Sequence, residues 1–136
     1  MDSELIEIYD PLSDRENDLG KIIFQISLNI HKKLGPGLLE SVYEKCFIYE
    51  LSKRGIPFAN QKLIPINYDE LLIENALKVD ILVDDLVIIE LKAQENYHPV
   101  WDAQLLSYLK LTNKRLGFLI NFHVPLIKQG LKRFVI

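Results

Sequence analysis

The sequence predicts an α/β fold, a mixed β-sheet flanked by helices. Three observations lead there. Lys78 to Lys92 reads as two apolar, β-branched runs folded back across Asp84-Asp85, the pattern of a buried hairpin. The segments around it carry apolar residues at three- and four-residue spacing, as helices packed on a core do. After the hairpin a helical segment precedes another apolar run, and that order implies a crossover to a parallel strand.

Size and composition suit one domain. The chain has 136 residues, 49% hydrophobic and 26% charged, which are ordinary globular values and allow a real core. No apolar run approaches a membrane span, and Met1-Asp2-Ser3-Glu4 lacks the basic start of a signal peptide, so a cytoplasmic protein with no membrane role is expected. Cys46 is the single cysteine; it cannot form an internal disulfide or a cysteine metal cluster. The net charge of −3 argues at first against nucleic acid, but it is uneven. Residues 1–18 hold seven acids against Arg15 alone, and the remainder carries twelve acids against fifteen bases. The body of the domain is therefore mildly basic, which permits phosphate binding without demanding it.

Taken in order, residues 1–17 show weak periodicity and a Pro-Leu-Ser-Asp break, so they read as an acidic N-terminal arm ahead of a single domain spanning 18–136. A helix runs from Asp18 to about Leu34, with Leu19, Ile22, Ile23, Ile26, Leu28 and Ile30 as its stripe and Gly35-Pro36 as its stop. His31 near its last turn suits capping or surface packing better than metal ligation. A second helix opens at Pro36 or Gly37 and reaches Lys53. It places Glu40, Tyr43, Glu44, Phe47 and Leu51 on one face. Phe58–Tyr68 reads as one or two strands at a sheet edge, because Pro65 removes a ladder donor. Asp69-Glu70 is a turn and Leu71-Leu72-Ile73 leads into the hairpin. Ala93 to Pro99 is a loop, a third helix follows through about Thr112, and Asn113-Lys114-Arg115 turns the chain into a buried strand, Leu116–Phe122. His123 then sits in a strand-end loop, and Gly130 to Ile136 alternates as a last strand.

Three charges interrupt the hairpin's apolar runs: Asp80, Glu90 and Lys92. Charges at such positions are usually paired, metal-bound or catalytic, because burying them alone is expensive. Alternation puts Glu90 and Lys92 on one face. A two-residue Asp84-Asp85 loop would set Asp80 opposite Ile89 and leave Glu90 pointing away. A three-residue loop, Asp84 to Leu86, or an equivalent bulge pairs Asp80 with Glu90 on one face, and this is the register expected. Glu40 has two readings: an acid favoured by the dipole of its helix's first turn, or a carboxylate facing Asp80 and Lys92. Gln104 and Tyr108, four apart, are either an incidental polar pair or a support for the site.

The spacing Asp80-x9-Glu90-x-Lys92 resembles the active-site signature of the PD-(D/E)xK nuclease superfamily. Gly37-Leu38-Leu39-Glu40-Ser41-Val42-Tyr43 is similar to the Gly-x-x-Glu-x-x-Tyr motif of its GxxExxY family, and Gln104 to Tyr108 resembles the Gln-x-x-x-Tyr helix motif of several branches. The match runs from about Ile22 to the C-terminus; Val79 stands where the superfamily's name has Pro. The resemblance implies an α-β-β-β-α-β core. It also implies Mg²⁺ or Mn²⁺ held by Asp80, Glu90, Glu40 and the backbone carbonyl of Leu91, a charge balance that suits a hard cation. Tyr43 would pack beneath Glu40 and hydrogen-bond to it, while Gln104 and Tyr108 would orient Lys92 or touch substrate.

The implied reaction is metal-dependent hydrolysis of a DNA or RNA phosphodiester, with Lys92 assisting. A second reading is a catalytically inactive module that keeps the fold and binds nucleic acid or protein; a third is a purely structural charge cluster. A protein partner or a homodimer is compatible with all three.

Overall fold

The computed structural model describes residues 10–136. Helix α1 (Asp14–Leu34) is followed by α2 (Glu40–Lys53), strands β1 (Phe58–Tyr68), β2 (Leu71–Val83) and β3 (Val87–Lys92), helix α3 (Val100–Thr112), and strands β4 (Leu116–Asn121) and β5 (Leu131–Val135). The strands form one mixed sheet in the order β1-β2-β3-β4-β5. Only β3 and β4 run parallel, joined by the α3 crossover; the other neighbours are antiparallel. From α2 to β4 this is the expected α-β-β-β-α-β order. Among the described residues no helix is long and apolar enough to cross a membrane.

Helix α1 begins four residues before the expected Asp18. The reason is a capping box: Ser13 Oγ accepts from the Glu16 N–H at 3.1 Å, and Glu16 Oε1 accepts from the Ser13 N–H at 2.8 Å. Residues 14–17 of the expected arm therefore belong to the first helix, and residues 1–9 lie outside the described residues. Helix α2 starts later than expected, at Glu40. Gly35 and Gly37 hold φ of 70° and 96°, a left-handed backbone that keeps residues 35–39 out of a helix. His31 ends α1 with its Nε2 2.8 Å from the Val124 carbonyl, a packing role.

Strand alternation divides the apolar side chains between two cores. Ile81, Val83, Val87, Ile89 and Leu91 pack with α1 and α2 (Ile23, Ile26, Tyr43, Phe47) on one face. On the other, Leu82, Ile88 and Leu119 pack with Trp101, Leu105 and Leu109 of α3. Burial on both faces explains why β3 and β4 read as continuous apolar runs. Gly117 lets α3 approach closely, since a Cβ there would lie 3.1–3.3 Å from Leu105 and Leu109 methyls.

The loop after β4 closes through Gly130, whose carbonyl accepts from the Asn121 N–H at 2.8 Å. A Cβ at Gly130 would fall on the Asn121 carbonyl oxygen, a backbone atom that cannot swing aside. Gly130→Ala is therefore expected to destabilise the domain by about 1–3 kcal/mol, read as a lower urea midpoint with unchanged slope. A midpoint equal to wild type would mean that this loop tolerates displacement.

Candidate active site

The hairpin turn sets the site. Val83 pairs with Val87, so the loop is the three-residue Asp84–Leu86, with Asp84 and Asp85 both left-handed at φ 50° and 55°. Arg15 holds Asp84 at 2.7 Å and Lys114 holds Asp85 at 3.2 Å. In this register Ile81 faces Ile89, and the regular ladder ends there. One step further, side chains replace the backbone acceptors. The Asp80 N–H donates to Glu90 Oε2 at 2.8 Å, and the Leu91 N–H donates to Asp80 Oδ2 at 2.8 Å. Each carboxylate thus takes a backbone donor of the other strand's segment, and the two acids are clasped where β2 and β3 part.

The next charges lie around this clasp. Lys92 follows two residues after Glu90, and its carbonyl accepts from the Phe122 N–H at 2.9 Å, which pins the strand end to β4. Its Nζ stands 5.3 Å from the Trp101 ring centroid at the start of α3. Among the described residues Lys92 forms no ion pair within 4.0 Å, yet it lowers the pKa of both Glu40 and Glu90, as a neighbouring cation does. Glu40 comes from the first turn of α2. It is exposed rather than on the buried helical face expected, which is formed by Tyr43, Phe47, Glu50 and Leu51. Its carboxyl still feels Asp80, Lys92 and Glu44.

Tyr43 differs from expectation in its partner. Its hydroxyl donates to the Gly35 carbonyl at 2.7 Å and accepts from the Leu38 N–H at 3.1 Å, while its ring stacks on Phe122 at 4.3 Å. It ties down the loop that delivers Glu40 and makes no bond to Glu40. Gln104 Nε2 donates to Tyr108 Oη at 3.1 Å. Tyr108 packs against the α3-side core, and burial, then Glu90 and Asp80, raise its pKa. No hydrogen bond from either residue to Lys92 is present among the described residues.

Two residues enter that sequence reasoning missed. Gln61 sits mid-strand with φ 51°, and its Nε2 donates to Glu44 Oε1 at 2.6 Å and to Asp80 Oδ1 at a long 3.4 Å. Nothing in the local sequence marks a left-handed residue there. Asn121, buried at the end of β4, bonds the backbone of Gln94 twice, at 3.2 and 2.9 Å, and so fixes the loop leaving Lys92. Its signal was available: a polar residue ending an apolar run. An open cleft of about 590 Å³ adjoins the cluster, lined by Gly37, Leu38, Leu39, Val42, Ala93, Glu95 and His123.

Burial first, and then the Asp80 charge, push the Glu90 carboxyl from its ordinary 4.5 up to about 8; the Asp80 N–H and Lys92 oppose the rise. Burial first and then Asp80 also raise Glu40. The donor chemistry fits a hard divalent cation. Asp80 and Glu90 each give one oxygen to a backbone N–H; of the second oxygens, Asp80 Oδ1 meets only the long 3.4 Å bond from Gln61. In a strand a residue's N–H and C=O point the same way, so the Leu91 carbonyl also faces Asp80. Mg²⁺ commonly uses one or two carboxylates and keeps several waters. Among the described residues no three His, Cys, Asp or Glu side chains form a ready metal-holding group, so Glu40 does not complete a third ligand in this arrangement.

Because the folded state raises the Glu90 pKa, it holds a proton that the unfolded chain has lost between about 4.5 and about 8. Stability is therefore full below that window and falls as pH rises through it, by about 1.4 kcal/mol per pH unit at most. Denaturant unfolding of the metal-free protein across the window checks this. Glu90→Gln, which keeps an oxygen for the Asp80 N–H, is expected to flatten the slope. A wild-type stability that rises with pH there would contradict the assignment.

A family model described as the PD-(D/E)XK nuclease superfamily matches residues 17–134. No curated protein and no solved structure matches the chain.

Proposed function

Since the chain belongs to the PD-(D/E)XK nuclease superfamily, we propose that it is a divalent-metal-dependent phosphodiester hydrolase acting on DNA or RNA. The observation that carries this reading is the Asp80–Glu90 clasp with Lys92 beside it at the parting of β2 and β3. The proposal includes membership of the GxxExxY family, supported by Gly37, Glu40 and Tyr43: the Tyr43 hydroxyl closes the loop on which the motif's spacing depends.

Asp80, Glu90 and the Leu91 carbonyl would hold Mg²⁺ or Mn²⁺, with Glu40 reaching it through water. A divalent ion bound there supplies Lewis acidity to the phosphate and makes water a better nucleophile. Lys92, without a close ion pair among the described residues, has its ammonium available to stabilise charge growing on the phosphate oxygens and to orient the attacking water. Its stack on Trp101 restricts where that ammonium can go. Gln61 Nε2 bridges Glu44 and Asp80, donating to both carboxylates. Leu38 and Leu39, 40% and 74% exposed, offer the neighbouring cleft an apolar wall against which a base could lie.

A second reading, an inactive nucleic-acid- or protein-binding module, is favoured by one observation. Both carboxylates already satisfy backbone donors, so no ion is needed to hold them in place. Metal separates the two. With Mg²⁺ or Mn²⁺, the wild type is expected to cleave at least one of a panel of single- and double-stranded DNA and RNA. Lys92→Ala is expected to lose about 100-fold or more of that rate while keeping the metal-induced rise in Tm. No cleavage together with no metal-induced Tm shift in wild type would put the binding module first.

A further inference from the structure

The loop that leaves Lys92 carries an aromatic ring that neither core encloses. Tyr97 lies between β3 and α3 and is 42% exposed, although both ends of its loop are pinned. Asn121 bonds the Gln94 backbone twice at one end, and at the other the His98 carbonyl accepts from the Trp101 N–H at 3.0 Å. The ring itself is braced. Trp101 meets it edge-on, with centroids 5.2 Å apart and planes at 72°, and the Lys132 ammonium stands 4.1 Å from its centroid. An aromatic ring held this stiffly and still open is contact area whose ordering cost has already been met.

The charges around the ring choose the occupant. Lys92 Nζ is 5.3 Å from the Trp101 centroid, so the Tyr97 centroid lies no more than about 10.5 Å from the proposed reaction group. At the Tyr97 end stands Lys132. Of its three N–H donors, Tyr97 Oη takes one at 2.9 Å and Asp102 Oδ2 another at 3.1 Å, which leaves one for a phosphate oxygen. Cation, indole, phenol and cation thus follow one another outward from the carboxylate cluster. Ammonium groups for phosphates with an open π-face between them form the pattern that binds strands whose bases are unpaired. A base inside a duplex is stacked between its neighbours and has no face to offer Tyr97. The Lys132–Asp102 ion pair already ties β5 to α3, so that tie gives no reason for the ring.

We propose, on the nuclease reading of the same site, that Tyr97 is a stacking platform for a nucleobase and that the substrate is single-stranded DNA or RNA. An unpaired base lies on the exposed ring, Lys132 takes its phosphate, and the strand continues toward Lys92.

Fluorescence anisotropy with end-labelled DNA and RNA oligonucleotides, each as a single strand and as a duplex, tests this. Ca²⁺ replaces Mg²⁺ or Mn²⁺ to occupy the carboxylates. Wild type is expected to bind single strands about tenfold or more tighter than duplexes. Tyr97→Leu, which keeps apolar bulk for folding but has no planar face, is expected to lose about tenfold on single strands and little on duplexes. Tyr97→Phe lacks the bond to Lys132 but keeps the ring, and is expected to bind as wild type does. Duplex binding as tight as single-strand binding overturns the proposal. So does a Tyr97→Leu variant of unchanged affinity, or a Tyr97→Phe variant as weak as Tyr97→Leu, which would mark the ring as a brace for Lys132. In each of these cases Mg²⁺-dependent cleavage of a duplex would leave the nuclease reading standing. Neither binding nor cleavage on any nucleic acid overturns the two together.

Discussion

The structure turns on one exchange of hydrogen bonds. Where β2 and β3 stop pairing through their backbones, Glu90 accepts the Asp80 N–H and Asp80 accepts the Leu91 N–H. A splayed strand end normally leaves donors open to water. Here carboxylates satisfy them, and that keeps two acids together that would otherwise repel. Everything that delimits the cluster depends on this parting. Lys92 lies one step past it, Gln61 reaches it from the edge strand, and α2 and α3 begin beside it.

The two helical layers serve that point differently. On one face Tyr43 is wholly buried, stacked on Phe122 and bonded to the Gly35–Leu38 loop, so the loop's end and the first turn of α2 are positioned as one piece with β4. On the other, Gly117 lets α3 settle low on the sheet, which brings Trp101 against Lys92. Asn121 and the Phe122 N–H then hold the chain on either side of Lys92. The cluster is assembled from elements far apart in sequence, but each is anchored in a core within three residues of its charged group.

The electrostatic outcome is a set of acids held at unequal readiness. Glu90, 6% exposed and beside Asp80, keeps its proton to about 8, whereas Glu40 at the rim is raised chiefly by partial burial. A cation entering this cluster would displace a proton as it bound. The same sheet that buries Glu90 leaves the distal hairpin bare, because β3 is six residues long and β2 thirteen. Length mismatch between adjacent strands thus creates both the protected cluster and the projecting ribbon.

Much of this was written in the chain. Alternation and apolar runs were enough for the mixed sheet, the α3 crossover and the edge position of β1, and the β1–β2 register does slip around Pro65. The Asp80–Glu90 pairing was legible because a three-residue loop alone brings both acids to one face of a strand pair. Helix starts were less legible: the Ser13–Glu16 box was present but overlooked, and the left-handed Gly35 and Gly37 delay α2 in a way residue spacing does not reveal. Tertiary structure alone decided the rest. That Glu40 is exposed, that Tyr43 bonds a loop instead of Glu40, and that Gln61 turns left-handed beside Asp80 all depend on where separate elements meet. Periodicity specifies which face a side chain leaves from; the partner it finds is set by packing between layers, which no local spacing encodes.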